Sequence, residues 1–192
     1  MPIRAFQKGF IVIILIVIGA GTCFGSEIGM ARQGLPEDRE YPVFQYATDE
    51  LWQYLRKGLN YLESPRPAQD PETVSPLYIH PDGRGFGCYG FSPEAYQDVQ
   101  RLYPYFRRIS WEHLLSSFRL YDLANQAFCD WLIKNLRDYC EGGKEPSDVF
   151  DTVQQAWNLG LSGFKNGRKV VSSRMRRAKD FKNYYEAQEG LI

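Results

Sequence analysis

From Leu51 onward, apolar side chains recur every three or four positions. Leu51, Trp52, Leu55, Leu59 and Leu62 fall on one stripe, the signature of a helix with a single buried face. Thr48 supplies an N-cap, and Asp49 and Glu50 an acidic first turn. The same reading predicts helices over 93–102, opened by Ser92 and Pro93; 111–118, opened by Ser110; 122–139, opened by Asp122; 148–158, opened by Ser147; and 172–187. The predicted fold class is therefore mainly α, with Leu77 to Ile79 as the one strand candidate. Between Ser64 and Gly90 stand Pro65, Pro67, Pro71, Pro76 and Pro81, then Gly83, Gly85, Gly87 and Gly90. No helix survives such a stretch, and loops of this length inside a compact domain are often functional.

Ahead of the helical region the pattern changes twice. Arg4 and Lys8 precede an unbroken apolar run from Phe10 to Ile18, followed by Gly19, Ala20, Gly21, Gly25 and Ser26. This is the three-part layout of a secretory signal, and its apolar core is short against the roughly 20 residues a membrane span needs. Residues 1–25 are thus expected to be a signal peptide, cleaved after Gly25, and the protein to be exported. Membrane attachment would come only through an uncleaved N-terminal anchor or through lipidation at Cys23, which Thr22 fits poorly. Residues 26–45 lack periodicity and contain Gly34, Pro36 and Pro42, so they read as a linker or N-terminal arm. One domain, 46–192, follows.

Loss of the leader removes two cations and no acid, leaving 21 basic and 23 acidic residues. That balance argues against a generally nucleic-acid-binding surface. Eight basic residues against one acid, Asp180, between Lys165 and Lys182 read as a solvated helix face, with Val171, Met175, Ala178, Phe181 and Tyr185 as its apolar back. Cys88, Cys129 and Cys140 would remain after cleavage, an odd count that permits one bridge at most. Cys129 and Cys140 are separated by about 16 Å of helical rise, too far to pair, and all three read as small buried hydrophobes.

One carboxylate is out of place. Glu63 lies within about 20° of Trp52 and about 40° of Leu59 on a helical wheel, so it shares the apolar face. It also ends the helix, since Ser64 and Pro65 follow it, and there the helix dipole prefers a cation. Burial and the dipole both disfavour a carboxylate's charged form, the direction a general acid needs near neutral pH.

The segments after Glu63-Ser64 are "GFGCYGF" (85–91), "RLYDLANQAFCDWL" (119–132) and "AWNLGLSGF" (156–164). In that order they resemble the soluble lytic transglycosylase branch of the lysozyme-like superfamily. The pattern there is a helix ending in Glu-Ser, a Gly-Ala-x-Gly-Leu-Met-Gln turn, an Asn-bearing helix, and Ala-Tyr-Asn-Ala-Gly. The resemblance implies a lysozyme-like, mainly α domain with minor β, acting on peptidoglycan in the periplasm or cell envelope of a bacterium. Glu63 would be the catalytic acid and base. Gly87 and Gly90 match the turn glycines, Asn125 the helix asparagine, and Ala156, Asn158 and Gly160 the last motif, with Trp157 in place of its tyrosine. The implied substrate-binding residues are Ser64, Tyr89, Gly90, Asn125, Trp157, Asn158 and Tyr185. Phe91, Ser92 and Pro93 replace Leu-Met-Gln, so the family's substrate-contacting glutamine has no counterpart.

In that chemistry a protonated Glu63 gives its proton to the glycosidic oxygen. The carboxylate then takes one from the muramic acid's own 6-hydroxyl, closing a 1,6-anhydro ring. Plain hydrolysis is the variant, with Asp70 and Asp82 as further loop carboxylates whose Pro and Gly neighbours also suit turns. Flat side chains suit the apolar faces of sugar rings, which adds Tyr78 and Phe86 as candidates. For Trp157, in the stripe Val149, Phe150, Val153 and Ala156, core packing is an equal alternative. No cofactor or metal is expected: His80 and His113 have no ligand spacing, and neither a nucleophile elbow nor a nucleotide-binding glycine pattern is present. A catalytically silent module that binds glycan or an envelope partner is the alternative function.

Overall fold

The computed structural model describes residues 41–64, 70–140 and 145–189. All of them belong to one compact unit spanning 38–192. The expected leader at 1–25 and most of the arm at 26–45 lie outside the described residues. Among the described residues seven helices carry the fold: α1 (Asp49–Glu63), α2 (Pro93–Leu102), α3 (Trp111–Leu115), α4 (Phe118–Asn135), α5 (Arg137–Cys140), α6 (Pro146–Lys165) and α7 (Ser172–Glu189). Short 3-10 turns occupy Pro71–Thr73 and Pro104–Arg108. The fold is mainly α. Among the described residues no extended strand forms; isolated antiparallel bridges at Ile79–Phe86 and Phe86–Phe91 fold the glycine-rich turn back on itself.

The predicted α1 forms with its expected cap: Thr48 Oγ1 accepts from the Leu51 N–H at 3.4 Å. Its stripe of Trp52, Leu55, Leu59 and Leu62 is buried. Helix α4 is the central element. Every residue from Ala124 to Asp130 is buried, because α2, α3, α5 and α6 all pack on it. Gly58 lets the Phe150 ring of α6 lie directly on the backbone of α1. A larger residue there would force the two helices apart.

Two predicted helix starts move. Helix α4 begins at Phe118, where Ser117 Oγ accepts from the Leu120 N–H at 3.4 Å. Asp122, expected to open that helix, instead ties three elements together. Its carboxylate accepts Trp52 Nε1–H at 3.1 Å and the Tyr89 hydroxyl at 2.6 Å, and lies 3.8 Å from Arg56 Nε. Helix α6 begins at Pro146 and runs past the predicted end at 158 to Lys165, with a break at Gly160 (φ +70°, ψ 157°). That backbone region is essentially reserved for glycine. The Leu77–Ile79 candidate supplies only the Ile79 bridge.

Cys88 and Cys129 are buried free thiols, and burial pushes both above the ordinary thiol value. Cys140 is half-buried and also free. The start of the domain, just after the arm, docks through Asp130 of α4. Its Oδ1 accepts the Tyr46 N–H at 2.6 Å and the Ala47 N–H at 2.9 Å, and its Oδ2 accepts the Tyr103 hydroxyl at 2.9 Å. Hydrogen bonds to a buried charged group are each worth roughly 1.5–3 kcal/mol. Asp130→Ala is therefore expected to lower the unfolding free energy by about 3 kcal/mol in urea titration. Glu112→Ala, at an exposed site, should change it by no more than about 0.5 kcal/mol.

Candidate functional site

Glu63 ends α1 with its side chain 17% exposed, and Arg174 of α7 meets it: Arg174 Nη1 lies 2.5 Å from Glu63 Oε1. Helix α1 has no basic residue in its own last turn. Helix α7 supplies the missing cations from outside, since Arg177 Nη2 also donates to the Tyr61 carbonyl at 2.5 Å. The negative end of the α1 dipole thus holds a carboxylate because two guanidinium groups from another helix neutralise that corner. Arg174 is 9% exposed, and its Nε and Nη2 are buried without an acceptor. A buried cation so poorly satisfied elsewhere depends on its carboxylate.

The second oxygen of Glu63 faces the glycine-rich turn. A methyl group placed on Gly90 would sit 3.3 Å from Glu63 Oε2 and 3.3 Å from His80 Cε1. Gly90 also has φ +63°, which costs an L-residue roughly 1–2 kcal/mol, so conformation and space both call for glycine. The turn is braced from below. Tyr121 donates its hydroxyl to the Phe86 carbonyl at 2.7 Å and accepts the Tyr89 N–H at 3.1 Å. The Nε2–H of His80 donates to the Gly87 carbonyl at 2.8 Å.

Glu63 and Gly90 line a groove of about 510 Å³ together with Trp157, Asn158 and Gly160 of α6, Phe91 and Ser92 at the start of α2, and the loop residues His80, Asp82 and Arg84. Trp157 is half-buried. Its Nε1–H donates to the Tyr89 carbonyl at 3.1 Å, and its ring packs on Phe91 and Phe128 with centroids 5.9 and 5.2 Å away. The core and groove readings of Trp157 therefore hold together: one face is packed while the residue borders the groove. Asn158 is exposed on the groove wall, and the break at Gly160 stops α6 from continuing in a straight line past it.

Other predicted site residues are set apart from the groove. Tyr89 is fully buried: its ring stacks on Tyr121 with centroids 5.4 Å apart, its hydroxyl is held by Asp122, and burial pushes that hydroxyl well above its ordinary value. Only its carbonyl, which receives Trp157, serves the groove wall. Asn125 is fully buried in α4, donating to the Tyr121 carbonyl at 2.6 Å, with its Oδ1 unpartnered. Ser64 is buried and closes α1 through its N–H to the Asn60 carbonyl at 2.8 Å. Tyr185 packs its ring on Tyr54 at 4.7 Å, under the ammonium of Lys57, in the α1–α7 seam. Tyr78 lies against His80, and Phe86 against Trp111. Neither ring borders the groove.

Of the two loop carboxylates, Asp70 caps the 71–73 turn by accepting the Glu72 N–H at 3.0 Å, and lies 3.9 Å from Arg56. Asp82 accepts the Arg84 N–H at 3.0 Å, which holds its carboxyl below the ordinary value. It is a turn residue and a groove residue at once. Sequence reasoning passed over His80, Arg84, Glu94 and Asp98, which also line the groove, and Arg174. A signal for Arg174 existed: it stands on one face with Ala178, Phe181 and Tyr185 at spacings of four, three and four. The sequence stripe used Val171 and Met175 instead, which are 66% and 38% exposed.

Among the described residues no group of three or more His, Cys, Asp or Glu is placed to hold a metal ion. No helix there is long and apolar enough to cross a membrane. Comparison with known proteins finds no match, whether to a family model, a curated protein or a solved structure.

The ion pair yields a stability prediction. Glu63→Gln should strand Arg174 and lower the unfolding free energy by about 3 kcal/mol. Adding Arg174→Met should restore most of that loss, a coupling read from a double-mutant cycle in urea. A Glu63→Gln protein as stable as wild type would contradict the pairing.

Proposed function

We propose that this protein cleaves the glycan strand of peptidoglycan by lysozyme-like, lytic-transglycosylase chemistry with Glu63 as the acid and base. The observation that carries the reading is the meeting of Glu63, Gly90 and the Trp157-Asn158 pair in one sugar-sized groove. These residues come from three separated stretches of chain. They are also the positions at which the sequence resembles that family. The mainly α architecture, with a bridged glycine turn after the helix that ends in Glu63, is compatible with a lysozyme-like fold.

The strand would lie along the groove with a glycosidic oxygen at Glu63 Oε2. Proton transfer from Oε2 to that oxygen lets the C1–O bond break with its electron pair on the leaving sugar, leaving an oxocarbenium-like centre. The carboxylate then accepts the proton of the muramic acid's 6-hydroxyl as its oxygen bonds C1. Glu63 returns to its starting form and a 1,6-anhydro end results. Neither water, metal nor organic cofactor is consumed. Asn158 offers amide hydrogen bonds to an N-acetyl group, and Trp157 a flat edge for a pyranose ring. The expected setting is the envelope of a bacterium, reached through the N-terminal export signal.

A second reading, a silent glycan-binding module, is favoured by the Glu63–Arg174 contact itself. A carboxylate held by a fixed guanidinium accepts sugar hydroxyls without needing to pass a proton. Hydrolysis is favoured by a different feature, Asp82 in the same groove, which would direct water to C1.

Purified protein incubated with peptidoglycan sacculi should release muropeptides. Glu63→Gln, confirmed folded by circular dichroism, should lower the release rate by at least about 1,000-fold, in the upper half of the roughly 10²–10⁴-fold range typical of general acid–base catalysis because one group does both transfers. Mass spectrometry should find ends lacking one water relative to hydrolysed ones. Release by the folded Glu63→Gln protein at the wild-type rate would refute the assignment. Groove binding without any release by wild type would establish the silent module.

A further inference from the structure

Arg174 touches Glu63 but does not border the groove. It can therefore influence a bound strand only through the carboxylate. Its contact is also asymmetric. Nη1 takes Oε1 at 2.5 Å, while Oε2 is the oxygen nearest the Gly90 position. The two oxygens of Glu63 are thereby made different: one is anchored, the other faces the turn and the groove.

The anchor is rigid for identifiable reasons. Arg174 is nine-tenths buried, and the helix that carries it packs along α1. One and two turns further, the Ala178 and Phe181 side chains of α7 are buried. Arg177 fixes the helix a second time at the Tyr61 carbonyl. Lys182 adds a third tie by donating to Asp151 Oδ2 of α6 at 2.8 Å. A planar guanidinium held this way aims its N–H at a fixed point, which a flexible ammonium does not do.

We infer that Arg174 is a positioning residue that assigns the proton-transferring role to Glu63 Oε2. This rests on the reading of Glu63 as the acid and base. When Oε2 gives its proton to the glycosidic oxygen, negative charge develops on the carboxylate. Arg174 is already in place to meet that charge, with no reorganisation at the moment of reaction. Because the guanidinium contributes to that step and not to the groove surface, its loss should appear in kcat and not in KM.

The test uses the full-length protein, soluble uncrosslinked glycan strands and initial rates, after circular dichroism shows each variant folded. Arg174→Met should lower kcat by at least about 100-fold while KM stays within about threefold. Arg174→Lys keeps the charge on a shorter, freely rotating stem and should lose about tenfold in kcat, again at unchanged KM. A purely structural arginine would not produce this split or this order. Wild-type kcat in Arg174→Met, or a raised KM at unchanged kcat, overturns the inference. Should Arg174→Met fail to fold, Arg174→Lys decides: wild-type kcat in that variant overturns it equally. If wild type cleaves and Glu63→Gln does not, those results count against Arg174 alone. If wild type fails to cleave, the reading of Glu63 falls and this inference with it.

Discussion

The candidate site depends on one charge contact, the Arg174 guanidinium on the Glu63 carboxylate. Without it, a helix with no cation in its own last turn would end in a partly buried acid at the negative pole of its dipole. With it, the acid is tolerated, one of its oxygens is fixed, and the C-terminal helix is bound to the first. The pairing joins residues more than a hundred positions apart. It also makes the end of α1 and the docking of α7 a single structural event.

The rest of the groove is built around that fixed point by backbone geometry. Gly90 brings the main chain of the hairpin turn close to Glu63 because no side chain intervenes. Tyr121, from the first turn of the central helix, holds the underside of that turn through two hydrogen bonds to backbone groups. Trp157 reaches across from α6 to the Tyr89 carbonyl, so the far wall is registered against the same turn. A change in the core beneath Tyr121 would therefore be felt at the carboxylate. Tyr89 and Asp122, which never reach the groove, belong to this supporting layer.

Much of this was legible in the sequence wherever a local rule governed it. The Thr48 cap, the α1 stripe and the Ser92-Pro93 start of α2 follow from capping and period alone, and the glycines of 83–90 announced a turn. Glu63 stood out because it broke the pattern of its own helix. The start of α4 was missed because Ser116 and Ser117 stand side by side and Asp122 is an equally good cap by type. Its carboxylate was drawn instead to Trp52 and Tyr89, a tertiary choice. Loop residues carry no period, so nothing local told that Tyr89 would face the core while Asp82 and His80 faced the groove. Asn125 illustrates the reverse error: a motif match placed it at the substrate, whereas full burial in α4 gives it Tyr121 as its partner. Arg174 was hidden within a run of exposed cations, and only its register with Ala178 and Phe181 separates it from them.

The central claim is that Glu63 presents Oε2 to a glycan while Arg174 retains Oε1. A crystal structure with a chitin tetrasaccharide bound tests it most directly. The account predicts a glycosidic oxygen within hydrogen-bonding reach of Oε2, with Nη1 of Arg174 still on Oε1 and an N-acetyl group at Asn158. A sugar bound away from this groove, or a carboxylate turned so that both oxygens meet Arg174 and neither meets the sugar, would contradict it.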